Sequence, residues 1–162
     1  MINFIKKLLI LSAILMIFSH NAFAEYAVQT LALEDARNLI DTGQKNAKVQ
    51  KVNICIAVVD PSGNLIAFER MDHARYGCIE TAVAKARAAA LYRIKTSVNM
   101  QRVNGNEAAV GYLPHMMPLG GGVPIISKNV MVGAVGVSGA TNPAEVKLAE
   151  QMASSYVATP DP

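Results

Sequence analysis

Two stretches of this chain read as antiparallel hairpins, so whatever else the fold contains, it carries a sheet built from them. In the first, the apolar, β-branched run Val52–Val59 meets Asp60-Pro61-Ser62-Gly63-Asn64 and returns as Leu65–Arg70. Proline presets φ and glycine accepts positive φ, which makes the polar residues a tight turn between two paired strands. In the second, Val123–Ile126 turns at Lys128-Asn129 into Val130–Ser138. Gly133, Gly136 and Gly139 recur there at every third residue. Glycine weakens a strand, so their presence predicts close approach by another backbone or by a ligand.

Helical periods separate the hairpins. Leu33, Ala36, Leu39, Ile40, Gly43 and Ala47 form one apolar stripe over a helix from about Leu31 to Val49, with Thr30 as N-cap. Glu80–Arg93 is alanine-rich, with Ile79, Val83, Ala86 and Ala90 on one face, small enough to lie close to a sheet. Asn142-Pro143-Ala144-Glu145 starts a last helix, with Ala149, Met152, Ala153 and Tyr156 facing inward. Thr96–Met117 shows no period and reads as a long loop, the kind of segment that often carries function. It leads into Gly120-Gly121-Gly122. Helix, hairpin, helix, loop, hairpin, helix describes an α/β (α+β) domain with an antiparallel sheet and helices packed against it.

The first 24 residues read as a signal peptide: Lys6 and Lys7, an uncharged apolar run from Leu8 to Phe18, and Ala22-Phe23-Ala24 as cleavage site. That run is too short to span a bilayer, and no membrane span is expected after cleavage. The expected mature chain, residues 25–162, is a single domain located in a periplasm or secreted. Without Lys6 and Lys7 it keeps 13 of the 15 basic residues against 12 acidic ones, which offers nucleic acid no basic surface. Its two cysteines, Cys55 and Cys78, read either as a disulfide suited to an oxidising compartment or as two buried apolar thiols. The position of Cys55 inside an apolar strand favours the thiols.

The residues offer little catalytic machinery. Gly136-Val137-Ser138-Gly139 falls short of a nucleophile elbow, because Ala140 stands where the pattern needs a fifth-position glycine. The glycine triplet lacks the Lys-Ser/Thr of a phosphate loop and precedes a strand, although its N–H groups could face a carboxylate or phosphate. No paired C-x-x-C or H-x-x-x-H suggests zinc, and no C-x-x-C-H suggests covalent haem. Asp60 belongs to its turn, and Lys85 has the ordinary explanation of a solvated helix face. Two histidines remain in the mature chain: His73 before the alanine-rich helix and His115 in Pro114-His115-Met116-Met117-Pro118. Imidazole and thioether are axial ligands for haem iron and suit soft metals, which singles out His115, His73 and Met117.

Five blocks in order resemble the GlcG/HbpS family, which is related to the C-terminal domain of PduO-type proteins. They are Ile56–Asp60 with Gly63, Arg70-Met71-Asp72, Ala84-Lys85-Ala86 with Ala88-Ala89, Gly121–Ile125, and Val132–Gly139. The resemblance implies a profilin-like fold with a five-stranded antiparallel sheet, assembly into homo-oligomers (dimers or octamers), and in one branch extracellular haem binding. It also implies that Thr96 matches a haem-contacting threonine. His73 stands where the family often has glycine.

The expected protein is thus an exported, oligomeric haem binder. Its pocket comprises the loop Thr96–Met117, the glycine turn with Gly121 and Gly122, and the start of the second helix. His115 is the first choice of iron ligand, with His73 and Thr96 behind it. The competing expectation is an enzyme or accessory protein for a small carboxylic acid of the glycolate type, held by the glycine N–H groups and Arg70 or Arg75.

Overall fold

The computed structural model describes residues 28–157, so the leader segment 1–24 lies outside the described residues. Both hairpins form. Strand β1 (Cys55–Val59) pairs antiparallel with β2 (Leu65–Arg70), and β3 (Gly122–Ser127) with β4 (Val130–Ser138). The hairpins join through β1 and β4, also antiparallel, giving the order β2-β1-β4-β3. The turns follow their chemistry. Asp60 Oδ1 accepts from the N–H groups of Ser62 and Asn64, and Gly63 takes φ +81°. Lys128 and Asn129 both adopt positive φ, the geometry that matches the twist of a two-residue hairpin.

Among the described residues the sheet has four strands, not the five that the family resemblance implies. The segment before the first helix comes alongside β4 and, among the described residues, gives one backbone bond, Leu31 N–H to Val132 O at 2.9 Å. One bond does not make a ladder.

Helix α1 (Leu33–Val49) starts two residues later than expected, with Ala32 rather than Thr30 at the N-cap. Its stripe is buried except for Leu33, which is exposed. Helix α2 (Cys78–Tyr92) ends where Arg93 turns left-handed. The expected loop Thr96–Met117 is the larger departure. It contains helix α3 (Thr96–Asn104) and a 3-10 turn (Ala108–Tyr112). The fully buried side chains of α3 are Thr96 and Asn99, both polar, so there was no apolar period to read. Helix α4 (Asn142–Ser155) has Thr141 as N-cap and Pro143 in its first turn.

Strand alternation divides the core in two. Ile56 and Val58 point from β1 toward α1 and α4, where they join Leu39, Ile40, Val135, Val137, Leu148 and Met152. Cys55, Ala57 and Val59 point the other way, onto the alanines of α2. That second layer consists of small residues, so α2 lies almost on the backbone of the sheet. Gly136 shows how closely: a Cβ there would sit 2.1 Å from Ala82 O and 2.6 Å from Ala86 N.

Both obstacles are backbone atoms, so no rotamer change relieves them. Gly136→Ala is therefore expected to cost about 3 kcal/mol, at the upper end of ordinary overpacking. A urea midpoint within error of the parent would refute this account of how α2 packs.

Candidate functional site

The close approach of α2 buries Lys85, which is 1% exposed and not on a solvated face. A buried ammonium needs a counter-charge, and α4 supplies one: Lys85 Nζ lies 2.7 Å from Glu145 Oε2. Lys85 also donates to Val137 O at 3.2 Å. The other Glu145 oxygen accepts from the N–H groups of Gly139 (2.8 Å) and Ala140 (3.1 Å). Asn142 Nδ2 donates to Gly120 O at 2.9 Å. Glu145 was legible only as a helix-start residue. Its pairing with Lys85, sixty positions away, has no local signature.

Three of the singled-out residues belong to this buried centre. Gly122 N–H donates to the Thr96 hydroxyl at 2.8 Å, and Thr96 is fully buried. Gly121 takes φ +115°, and a Cβ there would lie 2.7 Å from Val137 O and 3.3 Å from Lys85 Nζ. At Gly122 a Cβ would meet Lys85 O at 2.4 Å. The glycines let the chain thread between α2, α3 and α4. The hydroxyl of Thr96 and the N–H of Gly122 are spent on each other, and Lys85 and Glu145 satisfy one another. The centre as a whole is an internal brace.

A second group lies at the surface. Arg70, Met71, Asp72 and His73 line a cleft of about 460 Å³ together with Gln44, Lys48 and Asn53. That volume is within the roughly 300–1,000 Å³ usual for small-molecule sites. The cleft carries two cations, an imidazole, two amides, one carboxylate and a half-buried thioether. Gln44 is held by a hydrogen bond to Glu69, and the Arg70 guanidinium stacks over the Tyr76 ring at 5.0 Å. His73 is exposed and has φ +63°. Non-glycine residues seldom take that conformation, and such strain gathers at functional sites. Lys48, Gln44 and Asn53 were missed in sequence, because α1 and the entry to β1 reach Arg70 only through the fold.

His115 and Met117 stand apart from both groups. His115 is exposed with φ +59°, Met117 is half-buried, and neither lines this cleft. Their segment is tied to α2 by a hydrogen bond from the Tyr92 hydroxyl to Pro114 O. The expected single pocket therefore separates into a buried brace (Thr96, Gly121, Gly122), an open cleft (Arg70, His73) and an outlying loop (His115, Met117). A smaller cavity between α1 and the end of α4 is lined by Asp35 and Tyr156, among others. The Tyr156 phenol is pushed above its ordinary range, first by burial and then by the Asp35 carboxylate. Among the described residues no cluster of three histidine, cysteine or carboxylate side chains is placed to hold a metal ion. No described helix is long and apolar enough to cross a membrane.

Cys55 and Cys78 are joined as a disulfide, with Cα atoms 5.5 Å apart. The buried-thiol alternative, which the strand position favoured, is thereby corrected. The alternation of β1 turns Cys55 toward α2, whose first residue is Cys78.

The comparisons agree with this architecture. A family model described as haem degrading protein HbpS-like matches residues 31–154. Protein GlcG of Escherichia coli K12 is 36% identical over 108 residues, covering 67% of this chain and 81% of that protein. The solved structure of a double mutant of Streptomyces reticuli HbpS is 25% identical with a TM-score of 0.77. It covers 84% of this chain and 93% of the other. The structure of a PduOC:heme complex is 20% identical with a TM-score of 0.71, over 77% of this chain and 94% of that one. At that identity the likeness is one of fold.

Breaking a buried ion pair from one side strands the other charge, at a cost of about 3–5 kcal/mol. Lys85→Met should destabilise the protein by that amount, whereas Lys85→Met combined with Glu145→Leu should recover much of it. Additive losses in the double-mutant cycle would mean that the two charges are not coupled.

Proposed function

The chain belongs to the HbpS-like family, and from that premise we propose that it is a haem-binding protein whose ligand sits in the cleft lined by His73, Arg70 and Lys48. The single observation that carries the reading is the donor set of that cleft. An exposed imidazole on a strained left-handed residue stands with two cations around a space of about 460 Å³. Neutral imidazole is an iron ligand, and Arg70 and Lys48 can each take one propionate through a charge-assisted bond. Met71, half-buried beside them, supplies soft apolar surface. When bound, haem would supply the iron and redox chemistry, while the protein holds and orients it. His115 and Met117, on their outlying loop, remain the alternative ligand pair.

Export to a periplasm or outside the cell is part of this proposal. The Cys55–Cys78 bridge supports it, since disulfides persist in oxidising compartments. Expressed with its leader, the purified protein should begin at Glu25 by intact mass; a chain still starting at Met1 would sink the export reading. Homo-oligomerisation is also proposed, supported by the exposed Tyr112, Leu113 and Leu119 of one segment. Light scattering should give a multiple of the protomer mass, lowered by Tyr112→Ser.

One observation favours a second reading. Arg70 and Lys48 together would suit a small carboxylate without any haem. In that case carboxylates of the glycolate type should raise the melting temperature in a concentration-dependent way.

Hemin titration separates these readings. The parent should bind saturably near one equivalent with a shifted Soret band. His73→Ala should lose that shift, and Arg70→Ala should weaken binding roughly tenfold, the loss of one charge-assisted hydrogen bond. Loss in His115→Ala alone would move the ligand to the outlying loop. Weak, unsaturable binding unchanged in every variant would overturn the haem reading and leave the carboxylate.

A further inference from the structure

The cleft segment Arg70–Cys78 closes on a single residue. At one end Arg70 is the ladder partner of Cys55 in the β1–β2 pair. At the other end Cys78, the first residue of α2, is covalently bonded to the same Cys55. Between these anchors Asp72, His73, Arg75, Tyr76 and Gly77 are exposed, and only Ala74 is buried. The segment thus has almost no apolar core of its own. The N-cap of α2 is Gly77, with no side-chain cap to hold the first turn. Its local order comes from the bonds Met71 N–H to Ile54 O, Ala74 N–H to Met71 O and Cys78 N–H to Arg75 O. Ile79 N–H donates to Tyr76 O, and the Thr81 N–H and hydroxyl both donate to Gly77 O. Met71 rests on the core, and Arg70 stacks on Tyr76.

A segment with few buried contacts opens at low free energy unless its ends are pinned. His73 needs pinning most, because its left-handed backbone is unfavourable by roughly 1–2 kcal/mol. We infer that the Cys55–Cys78 disulfide is a redox-dependent clamp on the ligand cleft: oxidised, it holds His73 and Arg70 in place; reduced, it releases the segment and the first turn of α2. The step balances with a dithiol reductant. Two electrons and two protons pass to the Sγ–Sγ bond, which breaks to leave two thiols, while the dithiol closes to its own disulfide. Both sulfurs lie in buried residues, so exchange proceeds through the same local opening that the bond restrains. An exported chain would then become competent to bind only after leaving the reducing compartment.

As a statement about haem, the inference rests on the reading of the cleft given above, so the test has two readouts. Oxidised protein is compared with phosphine-reduced protein and with Cys55→Ala/Cys78→Ala. Amide exchange is followed at Ala74, Cys78, Ile79 and Thr81, whose N–H groups are bonded within this segment, and at Val137 in the sheet. Those four amides should exchange faster without the bridge while Val137 stays protected. The hemin Kd should rise by at least about tenfold, as expected when the competent population falls below one in ten. Equal exchange at the four amides with and without the bridge would overturn the clamp. Lost protection at Val137 as well would overturn it in favour of a staple for the whole domain. If neither form binds hemin saturably, the haem reading fails and amide exchange still decides the clamp.

Discussion

The structure depends on burying one ammonium group. Lys85 lies inside the protein because α2 rests on glycine and alanine, and a charge at that depth must be answered. Glu145 answers it from α4, and its second oxygen takes the N–H groups of Gly139 and Ala140 where β4 ends. One carboxylate thus connects the helix on one face of the sheet, the strand end, and the helix on the other face. Asn142, Thr96 and the glycine triplet close the remaining gaps around it. The glycines are required by space: the chain passes within a methyl group's reach of Val137 O and Lys85 O.

The cleft lies at the same end of the sheet as this brace but toward the β2 edge: Arg70 pairs with Cys55 and Cys55 with Ser138, next to the Gly139 N–H that Glu145 holds. Beyond Arg70 the chain leaves the ladder, makes an exposed turn with His73 in a left-handed conformation, and re-enters regular secondary structure at Cys78. The interior ion pair positions the helices, while the cleft between α1, the end of β2 and this turn presents polar groups to solvent.

Much of this was readable along the chain because it is local. Asp60 through Asn64 could only turn, and the two hairpins followed with their partners. Helix α3 was missed because Thr96 and Asn99, its buried side chains, are polar and give no apolar period. The candidate residues were individually visible, but their grouping was not. Thr96 and His115 were expected in one pocket; the fold commits the hydroxyl of Thr96 to Gly122 and leaves His115 on a separate loop.

By itself, the sequence determined the antiparallel hairpins, the order of helices α1, α2 and α4 and the alanine-rich character of α2, since each rests on periodicity, composition or turn chemistry within a few residues. It also determined family membership, through five motifs at matching spacing. Only the tertiary structure decided that Lys85 is interior, that Glu145 is its partner and that Cys55 meets Cys78. Only there do Lys48 and Gln44 join Arg70 and His73 around one cleft. The reason is common to all four. Whether a charge is solvated, a thiol is within bonding reach or two cations share a space depends on distances between segments far apart in the chain, and those distances exist only once α2 has settled on the sheet.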